Sequence, residues 1–431
     1  MNVDGSRATR RTNGAIRTLA LVVVLMSVWL APLAPVRSVS AQESPYAWIQ
    51  QEMIDIRGLP LLHEVKERSI TRDEFRTDLA STEIAADVRA QTEGAERTLI
   101  ALGLIPEGTD LFGATLEEQA SQVVGYYDPD TKEMVLISDS GGSDALAQIT
   151  YAHEFVHALQ DQHFDLNALQ DQVDALDDSE ASAAFRALVE GDATVAQFQF
   201  MLRHPDLVAA MDFGDSGASS APPVITEAML FPYLAGSAFV TKLLREGIWE
   251  EVNIAYDHLP VSTEQILHFD RYVAGDVPQD VSVPDVGSTL GPGWSVADED
   301  IVGELTVMLM FADEQPGQQS GFAAGFPEEA TTAATGWDGD QYASWTDGDQ
   351  IVIVWQSAWD SEVDAVEFAD AMSAYDAGRS GVAAHDSASG TAIDGGEWSS
   401  RIVRTGDEVT YVLAPTAELA DDVLAHVRDA A

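Results

Sequence analysis

"YAHEFVHALQDQHF", residues 151–164, places His153, His157 and His163, three of the chain's nine histidines, within eleven positions. On a helix, residues four apart stand about 40° apart round the axis and one turn along it. The imidazoles of His153 and His157 then share a side and can reach one ion at about 2.0–2.1 Å. Glu154, the next position, comes near enough to touch an activated water without being a ligand, which is what a general base requires. Ala152, Phe155, Val156, Ala158 and Leu159 supply apolar sides to bury the rest of the helix. The plain alternative is coincidence, two histidines satisfied in a core. A chance HExxH in a chain this poor in histidine is expected on the order of 0.01 times.

The third ligand is the open point. His163 stands six residues beyond His157, the spacing of the HExxHxxGxxH signature of the metzincins, in which the helix stops at the glycine. Here that position is Gln160, a residue that does not readily take positive φ. If the helix continues, six residues turn His163 by about 240° away from His157. The other candidate is Glu190 in "ALVEGDATV", 33 residues past His157, among Leu188, Val189 and Ala193. A carboxylate in such company wants a partner. Gly191 follows it; a helical glycine costs about 1 kcal/mol against alanine, which implies a close neighbour, as two ligand-bearing helices would need. Against this stands a surface glutamate pairing with Arg186 at i−4.

Around the motif the periodicities sort into elements. Residues 44–118 read as helices, and "SQVVGYYDPDTKEMVLISD" as a hairpin at about 121–138 turning on "DPDT". Helices follow at about 145–163 and 179–203. "DFGDSGASSAPP" reads as a loop, "TEAMLFPYLAGSAFVTKLLREG" as a further helix, and 269–299 as irregular. Beyond Gly336 two hairpins and two helices form a compact α+β unit. The expected division is a signal peptide at 1–41, a helical segment at 42–118, a catalytic domain at 119–334 and the C-terminal α+β domain at 335–431. The fold class is α+β.

Composition narrows the function. The chain has 72 acidic and 22 basic residues, a net charge of −50, so a phosphate backbone is repelled and nucleic acid is excluded as a partner. Such a balance suits a solvated acidic surface in a salty exterior. There is no cysteine, hence no disulfide framework and no thiolate metal site. Arg7, Arg10, Arg11 and Arg17, the apolar run Leu19–Leu33 and "VSA" at 39–41 have the order of a cleaved export signal, with Gln42 as the mature N-terminus. The mature chain then carries about −54. No other segment reads as apolar enough to span a membrane, and the oligomeric state has no signature.

"HEFVH" followed by "VEGDA" resembles the gluzincins, zinc peptidases with a His-His-Glu site, and in style their aminopeptidase-like branch. The match covers about residues 118–250. "FPYLAGSAFVTKLLREG" is similar to the helix that follows in many of that clan. Asp192 departs from the pattern, the ligand spacing is longer than in the aminopeptidases, and their exopeptidase signature is absent. The resemblance implies a mainly helical zincin-like core in which His153, His157 and Glu190 hold one zinc ion and Glu154 activates its water, with a peptide or protein as substrate. It also gives the hairpin the role of an edge strand holding an extended peptide. Tyr233 is the candidate for stabilising the oxyanion, or else a buried aromatic between helices. His268 is a second candidate, and Asp161 could orient a ligand imidazole. Two rivals remain: a non-catalytic extracellular binding protein fastened by zinc, and a zinc hydrolase of a non-peptide bond.

Overall fold

The opening stretch forms one unbroken helix, Asp144–Phe164. It is part of a computed structural model that describes residues 44–81, 84–115, 123–138, 144–211, 221–246, 248–312, 321–322, 324–387 and 390–430. The export signal read at 1–41 lies outside them. The helices that carry the argument are α1 (Ala47–Arg57), α2 (Asp144–Phe164), α3 (Leu166–Asp174), α4 (Ser179–Arg203), α5 (Pro223–Glu246), α6 (Thr263–Leu267), α7 (Gly303–Ala312), α8 (Glu362–Ser380) and α9 (Ala417–Ala430). The fold is α+β: a large helical region with a small sheet, then a larger sheet at the C-terminal end.

The small sheet has the order β1-β3-β2, from β1 (Lys66–Ile70), β2 (Gly125–Asp128) and β3 (Glu133–Ile137). The β2–β3 hairpin stands where the alternation placed it. β1 corrects the all-helical reading of 44–118: it runs parallel to β3, with Lys66 opposite Glu133 and Ile70 opposite Ile137. Its "KERSI" sequence has no apolar alternation of its own, so only the partner strand makes it extended.

α4 begins at the side chain of Asp178, which accepts from the amides of Glu180 and Ala181 at 2.8 and 3.1 Å. Its middle packs on α5 through glycines. A Cβ on Gly191 would overlap the backbone of Gly236, and one on Gly236 the carbonyl of Ala187. The close neighbour expected of Gly191 is therefore α5 rather than the histidine helix, because the two glycines let these backbones touch. α5 also corrects the reading that no segment beyond the leader could span a membrane. Pro223–Arg245 is long and apolar enough by length and composition, with a mean hydropathy of 1.4 over its most apolar window, half of which is buried inside the fold. A helix packed on several sides is apolar nearly all round.

The C-terminal sheet is antiparallel with the order β4-β5-β6-β10-β9-β8-β7. Its strands are β4 (Ser295–Asp300), β5 (Trp337–Thr346), β6 (Ile351–Trp359), β7 (His385–Ser387), β8 (Gly390–Asp394), β9 (Ser399–Thr405) and β10 (Glu408–Ala414). β4 comes from well before the boundary read at 335. One face packs Trp345, Val354 and Val412 against Val423 and Val427 of α9. The other joins the main core through Trp355, Tyr411 and Phe368 of α8. The two parts are stitched by Asp340 of β5, which accepts from the amides of Val302 and Gly303 at the start of α7, at 2.8 and 2.9 Å.

Candidate metal centre

α2 and α4 cross so that His153, His157 and Glu190 converge, and each is buried. His153 Nε2 and His157 Nε2 lie 3.1 and 3.4 Å from Glu190 Oε2, and 3.1 Å from one another. Donor atoms about 2.05 Å from a tetrahedral ion stand roughly 3.3 Å apart, so the spacing fits one small cation. His157 Nδ1 donates to Gln160 Oε1 at 2.8 Å, while Gln160 Nε2 donates to the Val189 carbonyl at 3.0 Å. The second bond fixes the amide, and the amide fixes the tautomer. In neutral His157 a bare Nε2 lone pair then faces a carboxylate oxygen. Glu190 Oε1 is buried without a hydrogen-bond partner. Lone pairs driven together in a dry place call for a positive charge. Burial alone would lower the His157 pKa, yet the Glu190 carboxylate raises it to about 9. Burial would raise that of Glu190, but the two imidazoles hold it well below the carboxylate range. This donor set could hold a single divalent ion.

Glu154 is held beside this group. Its Oε2 accepts from the Tyr127 amide of β2 at 3.0 Å, and burial raises its pKa against the pull of the imidazoles. Tyr233 of α5 stands with its ring 6.0 Å from that of His153. Burial first, then the charges of Glu190 and Glu154, lift its pKa well above the usual phenol value, so it stays a donor.

Three candidates fall elsewhere. His163 Nε2 donates to the Pro60 carbonyl at 2.7 Å, on the far side of an α2 that runs on past Gln160. His268 pairs with Glu304 at 2.7 Å and is not among the residues grouped at the metal centre. Asp161 touches no imidazole; it accepts from Tyr127 Oη at 2.7 Å and Lys132 Nζ at 2.8 Å, tying the hairpin to α2. Asp192, the departure from the gluzincin pattern, is fully buried and takes two bonds from Arg57, at 2.6 and 2.9 Å, and one from Tyr256. Gln160 and the Tyr127 amide are the functional groups the sequence reading missed. Gln160 was legible in principle: a ligand histidine needs an acceptor for its second nitrogen, and residue i+3 on the same helix face offers one.

Residues 293–424, from just before β4 into α9, match a family model described as a domain of unknown function (DUF8575). No curated protein and no solved structure matches the chain.

Proposed function

We propose that the protein is an exported, zinc-dependent metallopeptidase of the gluzincin type with a zincin-like core. The observation that carries this reading is the convergence of His153, His157 and Glu190 with the Glu154 carboxylate anchored beside them. Zinc bound there would supply a Lewis acid that polarises the substrate carbonyl and acidifies a water. The protein's own groups do the rest. Glu154, with one oxygen on the Tyr127 amide, takes the proton of the attacking water and passes it to the leaving amine. Tyr233 donates to the carbonyl oxygen as it gains charge. By the resemblance, the β2–β3 hairpin would lie along an extended peptide.

A second reading has one observation in its favour. His153, Glu154 and His157 are only 4–7 % exposed, as in a closed site that fastens helices. A structural zinc carries a fourth protein ligand, whereas a catalytic one keeps a position open; among the described residues three ligands group here. The deciding experiment is metal analysis of the purified chain, with cleavage of a mixed peptide library before and after chelation and after zinc is returned. One zinc per chain with chelator-sensitive cleavage is expected. One zinc per chain with no cleavage of any peptide would favour the fastening role.

A further inference from the structure

Arginines in so acidic a chain find carboxylates easily: Arg57 on Asp192, Arg271 on Asp276, Arg379 on Asp376 and Arg401 on Asp421, at 2.6–2.7 Å. Arg186 does not. It stands one turn before Glu190 on α4, so the two side chains share a face. It is half-buried, and among the described residues no hydrogen-bond acceptor or ion-pair partner reaches its guanidinium. The groups whose charges it feels are Glu190, Tyr233 and Asp174. Glu190 is turned to the imidazoles, and Asp174 accepts from Gln170 at 2.7 Å. Burial lowers the Arg186 pKa while those neighbours oppose the shift. A half-buried guanidinium with no carboxylate beside it is incompletely paired. It is also pre-formed for one, because its planar fork matches a carboxylate through two parallel bonds.

We propose that Arg186 is a substrate-recognition residue, the group that receives a carboxylate of the peptide next to the bond to be cut. The inference rests on the metallopeptidase reading and narrows it to acidic or free-acid substrates. The charges agree. A divalent ion with Glu190 and Glu154 sums to zero, and Arg186 makes the site net positive within a chain of −50. An anionic group repelled by the rest of the surface is therefore drawn to this one place. The carboxylate has two possible sources, the C-terminus of the peptide or an Asp or Glu side chain.

The test measures equilibrium binding to the full-length, zinc-loaded protein carrying Glu154→Gln, so that turnover does not interfere. Three versions of one short peptide are titrated: free acid, C-terminal amide, and an amide containing one aspartate. The free acid or the aspartate peptide should bind at least tenfold more tightly than the plain amide, and which of the two does so names the source. Arg186→Gln should erase the preference with zinc stoichiometry intact, and Arg186→Lys should restore part of it. Equal affinities for all three peptides, no binding of any, or a preference surviving Arg186→Gln would overturn the assignment. If wild type prefers the carboxylate yet cleaves nothing, the peptidase reading fails and the recognition role stands. Should Arg186→Gln fail to fold, the wild-type preference and its weakening in Arg186→Lys still decide.

Discussion

In the proposed mechanism Glu154 and the two imidazoles have separable tasks, so single substitutions separate them. Glu154→Gln keeps the size and the Tyr127 contact but loses the basicity. It should retain zinc and lose about 10²–10⁴ in hydrolysis rate, measured by kcat beside metal content; near-wild-type turnover would put the base elsewhere. Glu190→Ala should lose zinc in a chelator competition, while His163→Ala, whose partner is the Pro60 carbonyl, should keep it. The reverse pattern would return the third-ligand role to His163. Gln160→Ala removes the acceptor that fixes His157 and should weaken zinc binding about 10–100-fold in the same titration. An unchanged affinity would leave Gln160 as packing only.

The Gly191–Gly236 contact turns a sequence oddity into a testable statement about α4 and α5. Alanine at either position pushes the helices apart, and overpacking of this kind costs about 1–3 kcal/mol. Both single variants should lower the thermal midpoint. Because they disturb one interface, the double variant should lose less than the sum of the two; full additivity would mean that the glycines act independently. The same helices show what was legible. α2 and α4 were readable because their apolar periodicity and the turn spacing of His153, Glu154 and His157 are local properties of the chain. Glu190 was readable because a carboxylate among Leu188, Val189 and Ala193 looks unpaid without a partner. β1 was not, because its extension comes from β3, far along the sequence. Nor was the partner of Gly191, since a helical glycine signals closeness without saying to what.

Across the molecule, the proposed export comes first: if the leader is cleaved, the product should begin at or near Gln42 by N-terminal sequencing, and an intact Met1 in the membrane fraction would refute cleavage. Acidity is the second whole-molecule property. Burial pushes Glu264 up to about 8 and Asp340 up to about 6, and lifts Glu180 and Asp300 well above the carboxylate range. Such groups bind protons more tightly folded than unfolded, where carboxyls titrate near 4. Their contribution is fully present below that value and is lost as pH rises through about 6 and then about 8. The urea midpoint should therefore fall from pH 5 to pH 8, and Glu264→Gln should flatten the upper part of the decline. A midpoint that climbs over this interval would show that the buried carboxyls enter the folded state ionised.

Secreted peptidases are commonly kept latent by a leader that covers the active site and is later cut away. The pairing of Arg57 with Asp192 closes that route for the residues ahead of the hairpin. Detaching α1 would leave a fully buried carboxylate uncompensated two positions from Glu190, a change worth about 3–5 kcal/mol, and would take β1 away from β3. A cut there is expected to weaken the metal centre instead of uncovering it. On the metallopeptidase reading, then, release of α1 and β1 would not be the activating step, and a nick between α1 and β2 should inactivate the protein.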